Sequence, residues 1–569
     1  MHRRTVLLMT GVGSLWMNAA WAVPACPDGL VVVHGEEPVQ LQLRGDEFFS
    51  WTETVDGFAV LYDEVDSLWK YAQPMEGQPA FEIIPTPPIP PPPPPVVGLV
   101  NPLDYGLIPH AMPDDALLKE ARREQWQTMR GWPPVELEVP EQGLGALGDS
   151  ADGPPPPQPL IPAAGTKTIR NIVLLACFSN HWNVAGGTVG SSYGKTQNDY
   201  TNLFNQVGYS ADSAVGSVRD YYKEVSYTRL TVESVVFKWV RLPQNESYYG
   251  TDGTGGTVKD LKWLEMISDA IAAADSAGLN FATGDSDGDG WVDCLTVIHS
   301  GHGQEITGNP ATCIWSKQGE MSSVITKGGV KMKRAHTEPA LRGLTTSTSI
   351  IRIGVICHEM GHSFGLPDLY DYSNATDGIG KWCLMAHGNW NGSEGHRPAH
   401  LSAYAKCMLG FVRPTTLHTQ SSASLPRVEL HDSVIFLRDG MSNGEYYLLE
   451  NRSRYGFDND TASIFPGVLI YHVDSKSLNN DLGTWTHPLV KIEEADGDNS
   501  LGTIESPTPV QSEAGDVWTS TSGLSGGFRD QKATPPPTPC CINTCPMSAP
   551  TTRPPTHICA RPTSRRRAA

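Results

Sequence analysis

The stretch from Ile350 to Asp371 reads IIRIGVICHEMGHSFGLPDLYD and decides how the rest of the chain is interpreted. Its first two thirds, from about Ile350 to Phe364, predict a helix. His358 and His362 are then at positions i and i+4, one turn apart on the same face. Two imidazoles so placed can bind one metal ion, and this spacing is typical of zinc sites.

The residues after the second histidine complete the site. Gly365 and Pro367 predict that the helix ends in a left-handed residue and that the chain turns back. Asp368 would then reach the same ion, which gives the pattern H-E-x-x-H-x-x-G-x-x-D. Three protein ligands leave one position for water, so the pattern indicates a catalytic zinc rather than a structural one. Glu359 adjoins the first ligand and is predicted to be the general base.

Two further segments carry a family resemblance, namely GIGKWCLMAHGNWNG from Gly378 to Gly392 and PAHLSAYAKCMLGFV from Pro398 to Val412. With them the chain resembles the secreted zinc metalloproteases of the immune inhibitor A type, a metzincin-like family, from about Gly45 to Trp518. The resemblance implies an α+β multidomain protein, with a metzincin-like catalytic domain between a prosegment and a β-rich segment.

The same resemblance assigns roles to two more residues. Met385 falls where metzincins place the methionine of the Met-turn, an apolar floor beneath the metal. His387 stands where some metzincins carry a tyrosine that approaches the metal. It is either a fifth ligand or oxyanion stabiliser, or a histidine of the second shell or the surface.

Composition limits the classes of partner. The chain has 569 residues, a net charge of −20 and an isoelectric point near 5.3. This length is enough for about three or four domains. The acidic balance argues against nucleic acid as a partner and suits an extracellular protein. We therefore expect protein or peptide substrates and metal ions as partners.

The N-terminus is typical of an exported protein. Residues 1–22 contain MHRR, an apolar run from Thr5 to about Met17, and the small-x-small site Ala20-Trp21-Ala22, which together predict a signal peptide cleaved after about Ala22. The apolar run is too short to cross a bilayer, so no membrane anchor is expected. The predicted location is secreted or extracellular.

Residues 23–165 are interpreted as a propeptide. A small β-rich module is predicted to about residue 82, followed by a helical patch between two proline-rich linkers, Pro85–Pro95 and Pro154–Pro162. The propeptide is expected to inhibit the enzyme until an exposed linker is cleaved. Cys26 is a candidate thiolate switch or an ordinary thiol or disulfide residue, and Asp46 is a candidate aspartate switch.

Residues 166–414 form the predicted catalytic domain, in which strands and helices alternate before the zinc helix. The resemblance implies that one edge of its sheet binds substrate as an added strand. Residues 415–530 are predicted to be a β-rich segment. Within them Asp474, Glu493, Glu494, Asp496 and Asp498 are interpreted either as a second cation site or as a solvated acidic loop.

A possible calcium loop precedes the zinc helix. Asp285, Asp287, Asp289 and Asp293 alternate around Gly290 as in an EF-hand-like loop, although Thr296 occupies the position of the usual glutamate. We expect a structural calcium there, with an ordinary Asp/Gly turn as the alternative.

The last segment, residues 531–569, differs from the rest. It holds nine Pro, four Cys and five Arg and no Asp or Glu. We predict that it is disordered, and a frameshift near Phe528 would explain its composition. The eleven cysteines of a secreted chain permit disulfides whose pairing the sequence does not give.

The predicted function is a secreted zinc endopeptidase, made as a latent zymogen, that uses a zinc-activated water and Glu359 to hydrolyse extracellular proteins. The alternatives are a noncatalytic metal-binding adhesin or matrix protein on the same fold, and a different metal-dependent hydrolase, because H-E-x-x-H alone does not specify the reaction.

Overall fold

The computed structural model describes most of residues 165–519 and parts of the segments on either side. The described ranges are 20–22, 24–25, 30–34, 37–45, 50–54, 57–63, 68–74, 81–83, 160–161, 165–252, 259–307, 313–372, 376–418, 422–442, 444–477, 479–482, 487–502, 511–519, 540–544 and 556–562.

Six antiparallel strands near the N-terminus form a meander of their own, in the order β2-β3-β4-β5-β6-β7. This sheet confirms that the segment before the first proline linker is rich in β-structure. The proline linkers and the predicted helix at Asp114–Met129 lie outside the described residues, apart from residues 160 and 161. The N-terminal strands are β1 (Ala20–Ala22), β2 (Leu30–His34), β3 (Glu37–Gly45), β4 (Ser50–Thr54), β5 (Ala59–Asp63), β6 (Leu68–Pro74) and β7 (Phe81–Ile83).

The next part of the chain alternates strands with helices. The alternation that the sequence predicts before the zinc helix is thus confirmed. The elements are β8 (Lys167–Cys177), β9 (Trp182–Asn183), β10 (Thr188–Val189), α1 (Gln197–Asn205), α2 (Val218–Val225), β11 (Leu230–Val236), β12 (Val240–Arg241), α3 (Glu246–Tyr249), α4 (Trp263–Ser276), β13 (Cys294–His302) and α5 (Gln304–Thr307).

A β-hairpin that the sequence did not predict lies between β13 and the zinc helix. Its strands are β14 (Lys317–Lys327) and β15 (Val330–Leu341). The zinc helix itself is α6 (Ile353–Ser363), and α7 (Ala403–Met408) follows it after two short 3₁₀ turns at Gly380–Trp382 and His387–Trp390.

The main sheet is mixed and has the strand order β1-β14-β15-β13-β8-β11, with β12 also paired to β8. Strands β8, β11, β13 and β15 are parallel, whereas β14 runs antiparallel to β15 and β1 antiparallel to β14. This is a mixed α/β architecture, because parallel strands need crossover connections and these connections carry the helices.

Helices cover both faces of this sheet, as the alternating side chains of β8 require. Val173 and Leu175 pack in the core that also contains residues of α1, α2 and α6. Ile172 and Leu174 point to the other face and join the core of α4. Each such fully buried aliphatic side chain stabilises the fold by about 1.5–3 kcal/mol.

A second sheet follows, as predicted for the β-rich segment. Its strand order is β16-β18-β19-β20-β21, and only the β16–β18 pair is parallel. The strands of this part are β16 (Thr415–Thr416), β17 (Ser422–Leu425), β18 (Ile435–Leu437), β19 (Glu445–Arg452), β20 (Gly467–Asp474) and β21 (Val490–Ile492).

Two segments of the C-terminal tail differ from the prediction of disorder. Strands β22 (Cys540–Thr544) and β23 (Thr556–Pro562) pair with each other, and β23 also pairs with β17. Thr, Ile and Cys in these segments are compatible with a pleated strand, which the overall proline content had concealed.

Five buried cysteines of the predicted catalytic domain are free thiols in the structure, namely Cys177, Cys294, Cys357, Cys383 and Cys407. In the part of the chain that the structure describes, no helix has the length and apolar character needed to cross a membrane.

Candidate metal centre

The end of α6 positions the metal-binding residues. Gly365 adopts a φ of +93°, the left-handed conformation that glycine tolerates best. The amide of Gly365 donates to the carbonyl of His362 at 2.9 Å, and the amide of Leu366 donates to that of Gly361 at 3.1 Å. These two bonds form a Schellman motif, so the predicted termination at Gly365 is confirmed.

Backbone carbonyls orient both imidazoles. The Nδ1 atom of His358 lies 2.8 Å from the carbonyl oxygen of Leu384, and the Nδ1 atom of His362 lies 2.8 Å from that of Leu366. A carbonyl can only accept, so each Nδ1 carries the proton. This arrangement leaves the Nε2 atom of each ring to face the site, as in histidines that bind a metal.

Three ligand atoms converge on one point. His358 Nε2 lies 3.0 Å and His362 Nε2 lies 3.3 Å from Oδ1 of Asp368, and the two Nε2 atoms are 3.1 Å apart. Ligand atoms at about 2.0–2.1 Å from a tetrahedral ion lie about 3.3–3.4 Å from one another. Two nitrogens and one carboxylate oxygen at these separations fit a zinc ion, and all three residues are buried.

The protonation states also suit a cation. Burial lowers the pKa of His362, so its ring is neutral near pH 7. Burial would raise the pKa of Asp368, but His362 and His358 beside it outweigh that effect and hold the pKa below its usual value. The hydroxyl of Tyr372 donates to the other oxygen, Oδ2, of Asp368 and orients this carboxylate. The sequence analysis missed Tyr372, because no motif marks a tyrosine four residues after the third ligand.

Glu359 and Met385 adjoin the ligands. Glu359 follows His358 on α6 and is fully buried. Met385 is fully buried too, and a Cβ added to Gly361 on α6 would lie 2.7 Å from its sulfur, so this sulfur packs directly against the zinc helix. Both residues thus lie on or against the zinc helix, and their roles as general base and Met-turn residue stay predictions.

His387 lies apart from the three ligands. It is absent from the group of converging ligand atoms in the described structure, and its ring is 6.1 Å from that of Tyr370. Burial, with the charges of Lys381 and Arg44, lowers the pKa of His387 to about 3, so the ring is neutral. This placement agrees with a second-shell histidine better than with a fifth ligand.

The candidate calcium loop is brought together only in part. Carboxylate oxygens of Asp285, Asp287 and Asp289 lie within 4.8 Å of one another. Asp293 does not join them, because it accepts hydrogen bonds from the amide of Arg170 and from Ser286. Asp285 in turn accepts from the amides of Gly288 and Gly290, as in an ordinary Asp/Gly turn.

The candidate latency switches, Cys26 and Asp46, lie outside the described residues. The segment before Cys26 nevertheless contacts the catalytic region. Strand β1 pairs with β14, and the indole nitrogen of Trp390 donates to the carbonyl of Pro24 at 3.1 Å.

A mixed α/β core with two histidines of an H-E-x-x-H helix and a following aspartate at one point defines a catalytic domain of the metallopeptidase class. Comparison with known families agrees. Residues 192–411 match the model of the immune inhibitor A peptidase M6 catalytic domain.

Individual relatives cover less of the molecule. The "Pre-pro-metalloprotease PrtV" of Vibrio cholerae serotype O1 (strain M66-2) is 29% identical over 231 residues, which are 36% of this chain and 25% of the relative. "Immune inhibitor A" of Bacillus thuringiensis subsp. alesti is 32% identical over 202 residues, 32% of this chain and 29% of the relative. The chain thus matches between a quarter and a third of the length of these relatives.

Proposed function

We propose that this protein is a secreted zinc endopeptidase that hydrolyses peptide bonds of extracellular proteins. The observation that carries the proposal is the convergence of His358 Nε2, His362 Nε2 and Asp368 Oδ1, with both Nδ1 atoms already engaged by carbonyls. The peptidase M6 match and the two relatives whose names call them a metalloprotease and an immune inhibitor support the same reaction class.

The residues divide the work. His358, His362 and Asp368 would hold the zinc, which when bound supplies Lewis-acid activation of the scissile carbonyl and of water. Glu359 would accept the proton of the attacking water and return it to the amine that leaves. Glu359 is fully buried, which would shield this proton transfer from bulk solvent.

The test is a casein zymogram of the processed protein with and without a zinc chelator. We expect clearing that the chelator abolishes and that zinc restores. Glu359→Gln should lose activity by several orders of magnitude while it still binds one zinc per chain. Glu233→Gln, at an exposed position of β11, is the matched control and should remain active. Clearing by Glu359→Gln, or clearing without zinc, would contradict the proposal.

The same assay separates the alternatives. A noncatalytic adhesin would bind zinc and clear nothing, and a different metal-dependent hydrolase would leave casein intact while it cleaves another kind of bond. Calcium at Asp285, Asp287 and Asp289 stays a prediction for which the converging carboxylates are the support.

Latency and export form the second part of the proposal. Strand β14 contacts the zinc helix, which makes it the candidate substrate edge of the main sheet, and in this structure β1 pairs with it in antiparallel register from Ala20–Gly319 to Ala22–Lys317. These three residues belong to the predicted signal peptide, so the support for inhibition by the prosegment comes from Pro24, whose carbonyl accepts a hydrogen bond from the indole nitrogen of Trp390 in the catalytic region. The name "pre-pro-metalloprotease" of one relative is consistent with export followed by processing.

Processing can be tested on the intact chain. We expect limited proteolysis at the proline linkers to raise peptidase activity, and a chain in which both linkers resist cleavage to stay inactive. Full activity of the uncleaved chain would exclude a zymogen.

A further inference from the structure

The sequence of the acidic loop after β21 is compatible with either a cation site or a solvated loop. The structure separates its members. Asp474 faces His487, with 3.4 Å between the carboxylate and the ring, and Glu493 faces His472 at 3.4 Å. Glu494, Asp496 and Asp498 instead converge, with one carboxylate oxygen of each within 4.8 Å of the others.

A fourth carboxylate, distant in sequence, approaches this group. The amide of Asp496 donates to the carbonyl of Gly515 at 3.2 Å, and a Cβ at Gly515 would overlap the Asp496 carboxylate. Asp516 therefore adjoins the group. Besides burial, the negative charge of Asp516 raises the pKa of Glu494. Besides burial, the charges of Glu513 and Asp496 raise the pKa of Asp516.

Two buried oxygens in this group have no hydrogen-bond partner. Asp516 is fully buried, and its Oδ2 accepts from the indole of Trp382 at 2.7 Å and from the amide of Glu513 at 2.9 Å, whereas its Oδ1 accepts from nothing. Glu494, 8% exposed, uses Oε2 for the amide of Ser500 at 2.6 Å and likewise leaves Oε1 without a donor. An unsatisfied buried carboxylate oxygen costs several times what a hydrogen bond contributes, so a missing ligand is indicated.

We propose that Glu494, Asp496, Asp498 and Asp516 bind a calcium ion. Four carboxylates and no nitrogen or sulfur donor suit a hard cation, and an irregular loop suits calcium better than the strict octahedron of magnesium. The ion would neutralise negative charges that otherwise repel one another in a site whose members Glu494 and Asp516 are buried.

The position of the site gives the ion a structural role. Asp516 is bonded to Trp382, and the amide of Lys381 donates to the carbonyl of Gln511 at 2.7 Å. The loop from Gln511 to Asp516 thus braces the 3₁₀ turn that leads to Met385 beneath the zinc helix. Calcium would hold together the acidic loop and this brace, without contacting the zinc ligands.

The experiment measures Tm and terbium luminescence of the full chain after EGTA has removed calcium and zinc has then been restored in calcium-free buffer. Terbium replaces calcium, and the indole of Trp382, bonded to a proposed ligand, is placed to sensitise its emission. The variants are Asp496→Asn and Asp516→Asn, which keep the shape of the side chain. Asp496 and Asp498 are exposed, so Asp496→Asn and the third variant, Asp498→Asn, serve in case Asp516→Asn, at the buried position, folds poorly. Asp432→Asn, exposed in the same segment, is the matched control, and Asp289→Asn tests the other acidic loop.

We expect calcium to raise the Tm of the unmodified chain and to displace sensitised terbium. The variants at positions 496, 498 and 516 should bind at least about tenfold more weakly, because calcium affinity follows the number of charged ligands. Without calcium the order of the Tm values should reverse. Asp496→Asn and Asp516→Asn should then be more stable than the unmodified chain, because each removes repulsion between carboxylates.

Either of two results would overturn the proposal. One is a calcium response that persists in these variants or is lost in Asp289→Asn instead. The other is a chain whose Tm and terbium emission do not respond to calcium at all. Zinc content, measured in parallel, keeps the outcome separate from that of the peptidase assay.

Discussion

At the scale of single residues, the hydroxyl of Tyr372 holds Asp368, the proposed third zinc ligand, in place. It donates to Oδ2 of Asp368 while Oδ1 faces the two imidazoles. Tyr372→Phe should therefore fold normally but bind zinc about 10–100-fold more weakly, the usual cost of losing an outer-sphere partner. Competition with a chromogenic chelator measures this affinity. Tyr248→Phe, whose hydroxyl reaches only an exposed Glu265, is the control, and equal zinc affinity in both variants would contradict the role of Tyr372.

At the scale of the element, α6 is built to be approached closely on two sides. A Cβ at Gly354 would overlap the backbone carbonyl of Asn389, whereas one at Gly361 would meet the flexible end of Met385 at 2.7 Å. Alanine normally stabilises a helix relative to glycine by about 0.5–1 kcal/mol. We expect Gly354→Ala to destabilise instead by about 1–3 kcal/mol and Gly361→Ala by less, as urea unfolding would show. A more stable Gly354→Ala protein would refute this packing.

Sequence patterns predicted those elements whose signals are local. The zinc helix, β8 and α4 follow from apolar spacing, and the ligands follow from one contiguous motif. The β14–β15 hairpin was missed because polar residues interrupt its alternation and Pro339 argues against a central strand. Asp516 was missed as a neighbour of Glu494, because residues some twenty positions apart are brought together only by tertiary folding.

At the scale of the whole molecule, a buried ionic network joins the catalytic region to the β-rich segment. Arg452 of β19 contacts Asp458 at 2.6 Å and Glu450 at 3.1 Å, and it donates to the carbonyl of Trp382 at 2.8 Å. Removing one partner of such a buried pair costs about 3–5 kcal/mol. We therefore expect residues 165–519 to unfold in a single calorimetric transition. Two separate transitions, or an unchanged Tm in Arg452→Met, would show that the network does not couple the two parts.

The same network predicts how stability depends on pH. Burial opposes ionisation of Asp458, but Arg452 outweighs it and holds the pKa below the usual value, and Lys406 and Arg452 do the same for Glu450. This stabilisation is present above the ordinary carboxyl pKa, about 4, and is lost as pH falls through the lower folded values. Glu429 nearby has the opposite effect on stability. Burial and the charge of Asp458 raise its pKa to about 8, so its contribution to stability is lost as the pH rises.

We accordingly expect the free energy of unfolding to fall steeply as the pH is lowered below about 4. Glu429 should add a shallower decline as the pH is raised from about 5 to 8. Urea titrations across this range measure both limbs. Asp458→Asn should flatten the acid limb, and Glu429→Gln should remove the shallow one. An acid limb of unchanged slope in Asp458→Asn would show that other carboxyls cause it.

The pairing of β1 with β14 suggests which polypeptide substrates the edge of the main sheet would bind. Its contacts run from main chain to main chain, and the predicted signal cleavage after about Ala22 would strip this strand away on export. The free edge of β14 would then bind a substrate strand through main-chain hydrogen bonds, largely regardless of the identity of the substrate's side chains. We expect unravelled loops and denatured chains to be cut readily, while helical or tightly folded targets escape until they loosen.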